Sequence, residues 1–258
     1  MILLAIPFGL VIGLVVGTVG GGGAILALPV LVYVLGEPVG PASTASLIVV
    51  ALAASVGAGT QAVKHNICLR LAITFSIPAA AGSLLGTIAN KQVSGPALIL
   101  AFVPIMALAG VATWQRACSD TVGEDLACPT VPTPKLLVAG SLVGTLTGFF
   151  GVGGGFVIVP VLTLWFGMSF RRAVGTSLVI ITLTGGAALA SNLITGTTLD
   201  LPVTAALAGA TMVGALGGSL VGSRLPQKAL GQGFALVVGA VALFLLIDTL
   251  AFHGPPGS

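Results

Sequence analysis

The sequence predicts an all-α polytopic membrane protein of two inverted repeats, each a glycine-tipped re-entrant or broken hairpin plus three transmembrane helices. Three observations predict it. The 258 residues have a mean hydropathy of +1.18 and only 6% are charged, too few to solvate a water-facing surface. Apolar segments of about 17–25 residues recur, the length that crosses a ~30 Å hydrocarbon core, and the short alternating segments of a membrane barrel are absent. Finally, the chain repeats itself.

At an offset of 131 positions, Gly9, Gly13 and Gly17 fall on Gly140, Gly144 and Gly148. Gly20, Gly22 and Gly23 fall on Gly151, Gly153 and Gly154, Pro29-Val30-Leu31 on Pro160-Val161-Leu162, Gly36 on Gly167, and Ser46-Leu47 on Ser177-Leu178. After one inserted residue, Gly82 and Gly86 fall on Gly214 and Gly218. So many coincidences at one offset mark each half as one structural unit. The units are 1–114 and 136–252, joined by a polar linker, 115–135, with a tail at 253–258.

Each unit opens with a long apolar run broken by a glycine cluster, up to about residue 36 in the first and over about 136–167 in the second. Three ordinary spans follow, near 42–63, 69–89 and 96–114, and near 173–195, 201–222 and 229–250. The amino terminus MILLAIPFGL has no positive leading region, so no cleavable signal peptide is expected.

Charge sets the expected topology. Short loops keep Lys and Arg on the cytoplasmic side. With three crossings per half, the linker and the Lys64–Arg70, Arg171–Arg172 and Arg224–Lys228 loops share that side. Eight of the nine Lys and Arg then lie inside, with Lys91 the exception, and Glu37, Asp200 and Asp248 lie outside. An odd number of crossings inverts the second repeat against the first. It also makes residues 136–167 enter and leave by one face. Two arms of about 12 residues, ~18 Å each, predict a re-entrant hairpin with its glycine tip near mid-membrane; two short full crossings give the same parity. Non-helical backbone at that depth must be buried in protein or line a cavity.

Contiguous glycine costs a helix about 1 kcal/mol per residue, so the clusters need a reason. Their exposed N–H groups form an anion-binding nest, and a return arm starting a helix near Ala24 or Gly155 adds a partial positive charge. The candidate substrate-binding residues are therefore Gly20, Gly21, Gly22 and Gly23 in one tip and Gly151, Gly153, Gly154 and Gly155 in the other. The hydroxyls of Thr44, Ser46, Thr176 and Ser177 and the repeat-related pair Gln61 and Asn192 complete the set. For the hydroxyls the competing role is a bond to their own helix backbone, and for Gln61 and Asn192 a bond between helices. The GxxxG ladders at Gly9/Gly13/Gly17, Gly140/Gly144/Gly148 and Gly214/Gly218/Gly222 read as helix-packing ridges. Pro29 and Pro160 open or kink the return arms.

Several chemistries are excluded or disfavoured. A net charge of +3 without a basic patch argues against nucleic acid. The glycine clusters lack the Lys-Ser/Thr of a nucleotide loop, and no Ser–His–Asp set or HExxH sits in the spans, so no enzyme is expected. Every Asp and Glu falls in a loop or near a span end, leaving no evident carboxylate proton relay. Cys68, Cys118 and Cys128 do not have metal-ligand spacing. In a cytoplasmic linker Cys118 and Cys128 are expected to stay reduced. No cofactor or metal is expected.

The stretches GVGGGFVIVPVL (Gly151–Leu162), its copy GGGGAILALPVL (Gly20–Leu31) and AVGTSL (Ala173–Leu178) resemble the sulfite exporter TauE/SafE family, also called the toluene sulfonate uptake permease family. The resemblance covers essentially the whole chain as two halves. The first copy departs from the pattern in Ala24, where the second has Gly155, and in STASL for VGTSL, so the two tips contribute unequally. The resemblance implies an inner-membrane permease for small sulfur-containing anions such as sulfite, thiosulfate or organosulfonates. Its partners are then the small anionic substrate and the lipid bilayer, with a homo-oligomer and a coupling ion, Na⁺ or H⁺, left open. An anion channel and a non-transporting membrane scaffold are the competing readings.

Overall fold

The computed structural model describes residues 2–37, 39–90, 95–118, 128–129, 131–150, 155–195 and 201–251. These residues are helical apart from short connections, with no strand among them. The first half holds α1 (Ile2–Val19), a tight turn of 3₁₀ helix (Gly21–Gly23), α2 (Ala24–Pro29) running on as π-helix (Val30–Val34), α3 (Val39–Val63), α4 (Leu69–Asn90) and α5 (Gly95–Cys118). The second holds α6 (Thr133–Phe150), α7 (Gly155–Pro160) with its π-helix (Val161–Trp165), α8 (Phe170–Thr195), α9 (Leu201–Gly222) and α10 (Gln227–Ala251). Among the described residues four segments are long and apolar enough to cross a membrane: Thr44–Val63, Leu69–Gly86, Pro202–Gly222 and Gln227–Ile247. The segments Leu4–Val19, Ile25–Val34 and Gly155–Trp165 are apolar but shorter. Large apolar side chains such as Ile77, Leu85, Leu108, Val213 and Leu236 point outward, as a lipid-facing surface requires.

The glycine ladders explain which helices pair. A carbon added at Gly13 would run into the carbonyl of Thr211, and one at Gly17 into that of Ala215. α1 therefore lies tightly along α9, both running in the same direction. The second half repeats the contact with partners exchanged: Gly144 abuts the carbonyl of Ala79 and Gly148 that of Ser83, so α6 lies along α4. The facing helices return the contact, Gly214 and Gly218 against Leu10 and Leu14, and Gly82 and Gly86 against Ser141 and Thr145. In lipid, where burial of apolar surface gives no drive, such backbone approach supplies the packing, with glycine Cα–H groups facing carbonyls. α3 packs on α8 and α5 on α10, each helix on its own repeat counterpart.

The seven loop-proximal helix ends that carry basic residues meet at one end of the molecule. Arg171 donates from Nη1 and Nη2 to the carbonyls of Ser223 (3.0 Å) and Leu225 (2.9 Å), capping the C-terminal end of α9. The Phe170 N–H donates to Gln227 Oε1 at 3.1 Å, fixing the start of α8 to that of α10. Lys64 Nζ lies 3.5 Å from the Ser219 carbonyl, and Gln232 Nε2 lies 3.8 Å from Cys118 Sγ. Arg70, Arg116, Lys135, Arg172, Arg224 and Lys228 belong to the same ends by sequence. Lys91 lies outside the described residues.

Cys128 differs from expectation. It is joined by a disulfide to Cys68, with Cα atoms 5.8 Å apart, while Cys118 is free and exposed. The reason is tertiary: α4 and α6 pack side by side from their first turns, which brings the residue before α4 to the segment leading into α6. No spacing in the sequence encodes that approach.

The hairpin arms also differ from expectation. α1 and α6 are each 18 residues long, about 27 Å, whereas each return arm has eleven helical residues, about 16 Å. The outgoing arm is long because its glycines at every fourth position are consumed by packing on α9 or α4 rather than by a turn. The return arm is shorter than a ~30 Å core, which disfavours two full crossings.

Candidate functional site

Gly20 ends α1. Its φ of +78° is open to glycine without strain, and its N–H donates to the Val16 carbonyl at 2.9 Å. The chain then doubles back, because a carbon on Gly23 would meet Val16 and the Ile12 carbonyl on α1. α2 starts at Ala24 and α7 at Gly155. Pro29 and Pro160 stand at the α-to-π junction of their arms, where a missing N–H removes one α-type bond. Both arms close alike: Leu35 and Phe166 donate to the Val30 and Val161 carbonyls, and Glu37 and Met168 to those of Leu31 and Leu162. Gly36 and Gly167, at φ +69° and +68°, are the left-handed residues that permit this closure.

Ala5, Leu31, Leu35, Ala42 and Val203 share one apolar cluster, so the first hairpin begins and ends beside the start of α9. Gly140 packs on the Phe75 carbonyl and Phe166 stacks edge-on against the Phe75 ring, centroids 6.4 Å apart. The second hairpin thus begins and ends beside the start of α4, at the basic end.

The two hairpins touch. A carbon on Gly21 would overlap the backbone of Gly155, and one on Gly155 would lie 2.6 Å from the Gly21 Cα and 2.7 Å from Ile181 Cδ1. Ile181 is close to the middle of the 26-residue α8. Gly20 sits nearer the basic end, where an added carbon would lie 2.9 Å from Ser177 Oγ and 3.3 Å from the Val174 Cα. Gly22 lies in the 3₁₀ turn; Gly151, Gly153 and Gly154 lie outside the described residues.

The remaining candidates divide between two levels. α3 and α8 cross antiparallel: Gly57 faces Leu178, Gly185 faces Ala51, and Gly175 faces Gln61 and the Asn66 carbonyl. Gln61 and Ser46 are separated along α3 by about 22 Å at 1.5 Å per residue. No small anion reaches both. Thr176, Ser177 and Gln61 lie toward the basic end, Thr44 and Ser46 toward the other; all five are buried. The Asn192 side chain lies outside the described residues.

The described polar groups already hold bonds. Thr176 Oγ1 accepts from the Cys68 N–H at 3.2 Å, capping α4 from α8. Ser177 donates to the Val174 carbonyl at 2.8 Å. Gln61 Oε1 accepts from Asn66 Nδ2 at 3.1 Å and its carbonyl accepts from the Asn66 N–H. Sequence reasoning missed the Thr176–Cys68 cap and the Arg171 clamp. The first had a trace in the small Gly175 that lets the loop approach; the second had none.

A pair of broken hairpins in contact at the middle of a helical, apolar bundle is a transport architecture in outline. The family model described as Sulfite exporter TauE/SafE matches residues 5–245. The chain belongs to the sulfite exporter TauE/SafE family. It is a multi-pass membrane protein of a transporter family. It is 29% identical over 249 residues to a probable membrane transporter protein of Xylella fastidiosa (strain 9a5c), covering 95% of both chains. It is 30% identical over 253 residues to one from strain Temecula1, again 95% of both. A probable membrane transporter protein of Methanocaldococcus jannaschii is 25% identical over 262 residues, covering 95% of this chain and 97% of that one. No solved structure matches.

Proposed function

We propose that this TauE/SafE protein is an inner-membrane secondary transporter for small sulfur-containing anions such as sulfite, thiosulfate or organosulfonates. The observation that carries the reading is the backbone contact of Gly21 with Gly155, where hairpins that begin at opposite ends of the bundle meet. The two halves are read as inverted repeats, and the basic end with linker 115–135 as cytoplasmic.

The anion is held by backbone amides of the tips, Gly20–Gly23 and Gly151–Gly155, since no Lys or Arg among the described residues lies at that depth. Because Gly20 N–H is already bonded to Val16, the amides that follow it carry this role. Thr176, Ser177 and Gln61 flank the passage on the basic side, and Thr44, Ser46 and Asn192 are assigned as their counterparts. One half rocking on the other exposes the site alternately. An interior negative by 100 mV favours exit of each negative charge by about 2.3 kcal/mol, so export needs no coupled ion, while uptake requires Na⁺ or H⁺.

Thermal-shift screening of the purified protein against sulfur oxyanions, sulfonates and carboxylates tests the substrate class. Stabilisation by sulfite or sulfonate above acetate is expected; a carboxylate-only response contradicts it. Saturable flux in liposomes, accelerated by substrate on the far side, separates this reading from a channel, and any flux separates it from a scaffold.

A further inference from the structure

We infer that Cys68 and Cys128 form a reversible thiol–disulfide exchange site that clamps the two halves together at the basic mouth. The clamping part rests on the transport reading above; the exchange site does not.

The disulfide bridges a sequence separation of 60 and connects the residue before α4 to the segment entering α6. It therefore ties a first-half element to the linker that leads into the second half. Cys128 is exposed, and Arg172 Nη1 lies 3.6 Å from its Sγ. A guanidinium there stabilises negative charge at that sulfur, which favours it as the nucleophile. Cys68 is buried at 3% exposure, so it is reached through Cys128 rather than directly.

The Cys68 position is coupled to the tip. Its N–H is held by Thr176, the adjacent Ser177 lies against Gly20, and Gly175 leaves room for the Asn66 carbonyl of the same loop, which a β-carbon there would strike. Pulling on Cys68 thus acts on the α8 turn that supports the first hairpin. If the basic end is cytoplasmic, the ordinary state is the dithiol. The oxidant is a small-molecule disulfide such as oxidised glutathione. The Cys128 thiolate attacks one glutathione sulfur and expels a glutathione thiolate. The Cys68 thiolate then attacks Cys128 Sγ in the mixed disulfide and expels the second. Two protein thiols are oxidised, one glutathione disulfide is reduced, and two protons leave with the two glutathione thiolates.

The test uses the full chain in detergent and in liposomes. After equilibration in mixtures of oxidised and reduced glutathione, the sample is acid-quenched and denatured in SDS so that buried Cys68 is accessible, and a polyethylene glycol maleimide counts free thiols, with Cys118 as internal reference. The expected result is three additions when reduced and one when oxidised, reversibly, with C128S holding at two throughout. Redox-independent labelling of Cys68 and Cys128, or pairing of Cys118 with Cys128, overturns the site. Labelled-sulfite flux is then compared. Oxidation is expected to remove most flux from the wild type and leave C128S unaffected. Equal flux in both wild-type states overturns the clamp. Absence of flux in both states contradicts transport and with it the clamp, while leaving the thiol count standing.

Discussion

Gly21 and Gly155, one from each half, lie backbone against backbone at the level of Ile181 in the middle of α8. Neither position has room for a β-carbon. Gly21→Ala and Gly155→Ala are each expected to destabilise the protein by about 1–3 kcal/mol, the usual range for overpacking. Gly59→Ala, in α3 with nothing within 4 Å of the added carbon, is expected to be neutral or slightly stabilising. Thermal unfolding in detergent compares the three.

Gly13 on Thr211 and Gly144 on Ala79 are the same contact made twice. Gly13→Val and Gly144→Val are therefore expected to lower thermal stability by similar amounts, because each forces a ridge helix off its partner's carbonyls. A large effect in one and none in the other would break the equivalence of the α1–α9 and α6–α4 pairs.

Much of this was legible beforehand, for reasons that can be named. Glycines at every fourth position carry packing information that survives in one dimension, so the ridges were readable. The spans at 42–63 and 201–222 follow from apolar length. The start of each return arm was readable too: helices expected near Ala24 and Gly155 begin there. What was not readable is the length of the outgoing arm, because the ladder Gly9/Gly13/Gly17 extends α1 along α9 before the cluster folds back on Val16. Gln61 looked like a shared polar position open to a ligand. Its amide oxygen instead accepts from Asn66, a partner five residues on, and it stands about 22 Å along α3 from Ser46. Cys128 was expected to stay reduced, and its disulfide with Cys68 was not readable because only the α4–α6 contact joins them.

Arg171 clamps α9 through two carbonyls at 3.0 and 2.9 Å. Charged hydrogen bonds of this kind contribute about 1.5–3 kcal/mol each at most, less where the group is partly exposed. Arg171→Gln is expected to lower thermal stability clearly, and Arg171→Lys to recover part of the loss, since lysine lacks the fork that reaches both oxygens. Equal stability of all three proteins would remove the clamp.

Cys118 is exposed at the basic end. A membrane-impermeant maleimide is expected to label it in inside-out vesicles and not in intact cells. Labelling in intact cells would place linker 115–135 outside.

The most direct measurement is labelled-sulfite flux into liposomes containing wild-type protein, Gly22→Leu or Gly153→Leu, with insertion checked by protease protection. The account predicts saturable flux in the wild type and none in either variant, both still inserted. Wild-type flux in both variants would contradict an anion site at the hairpin tips.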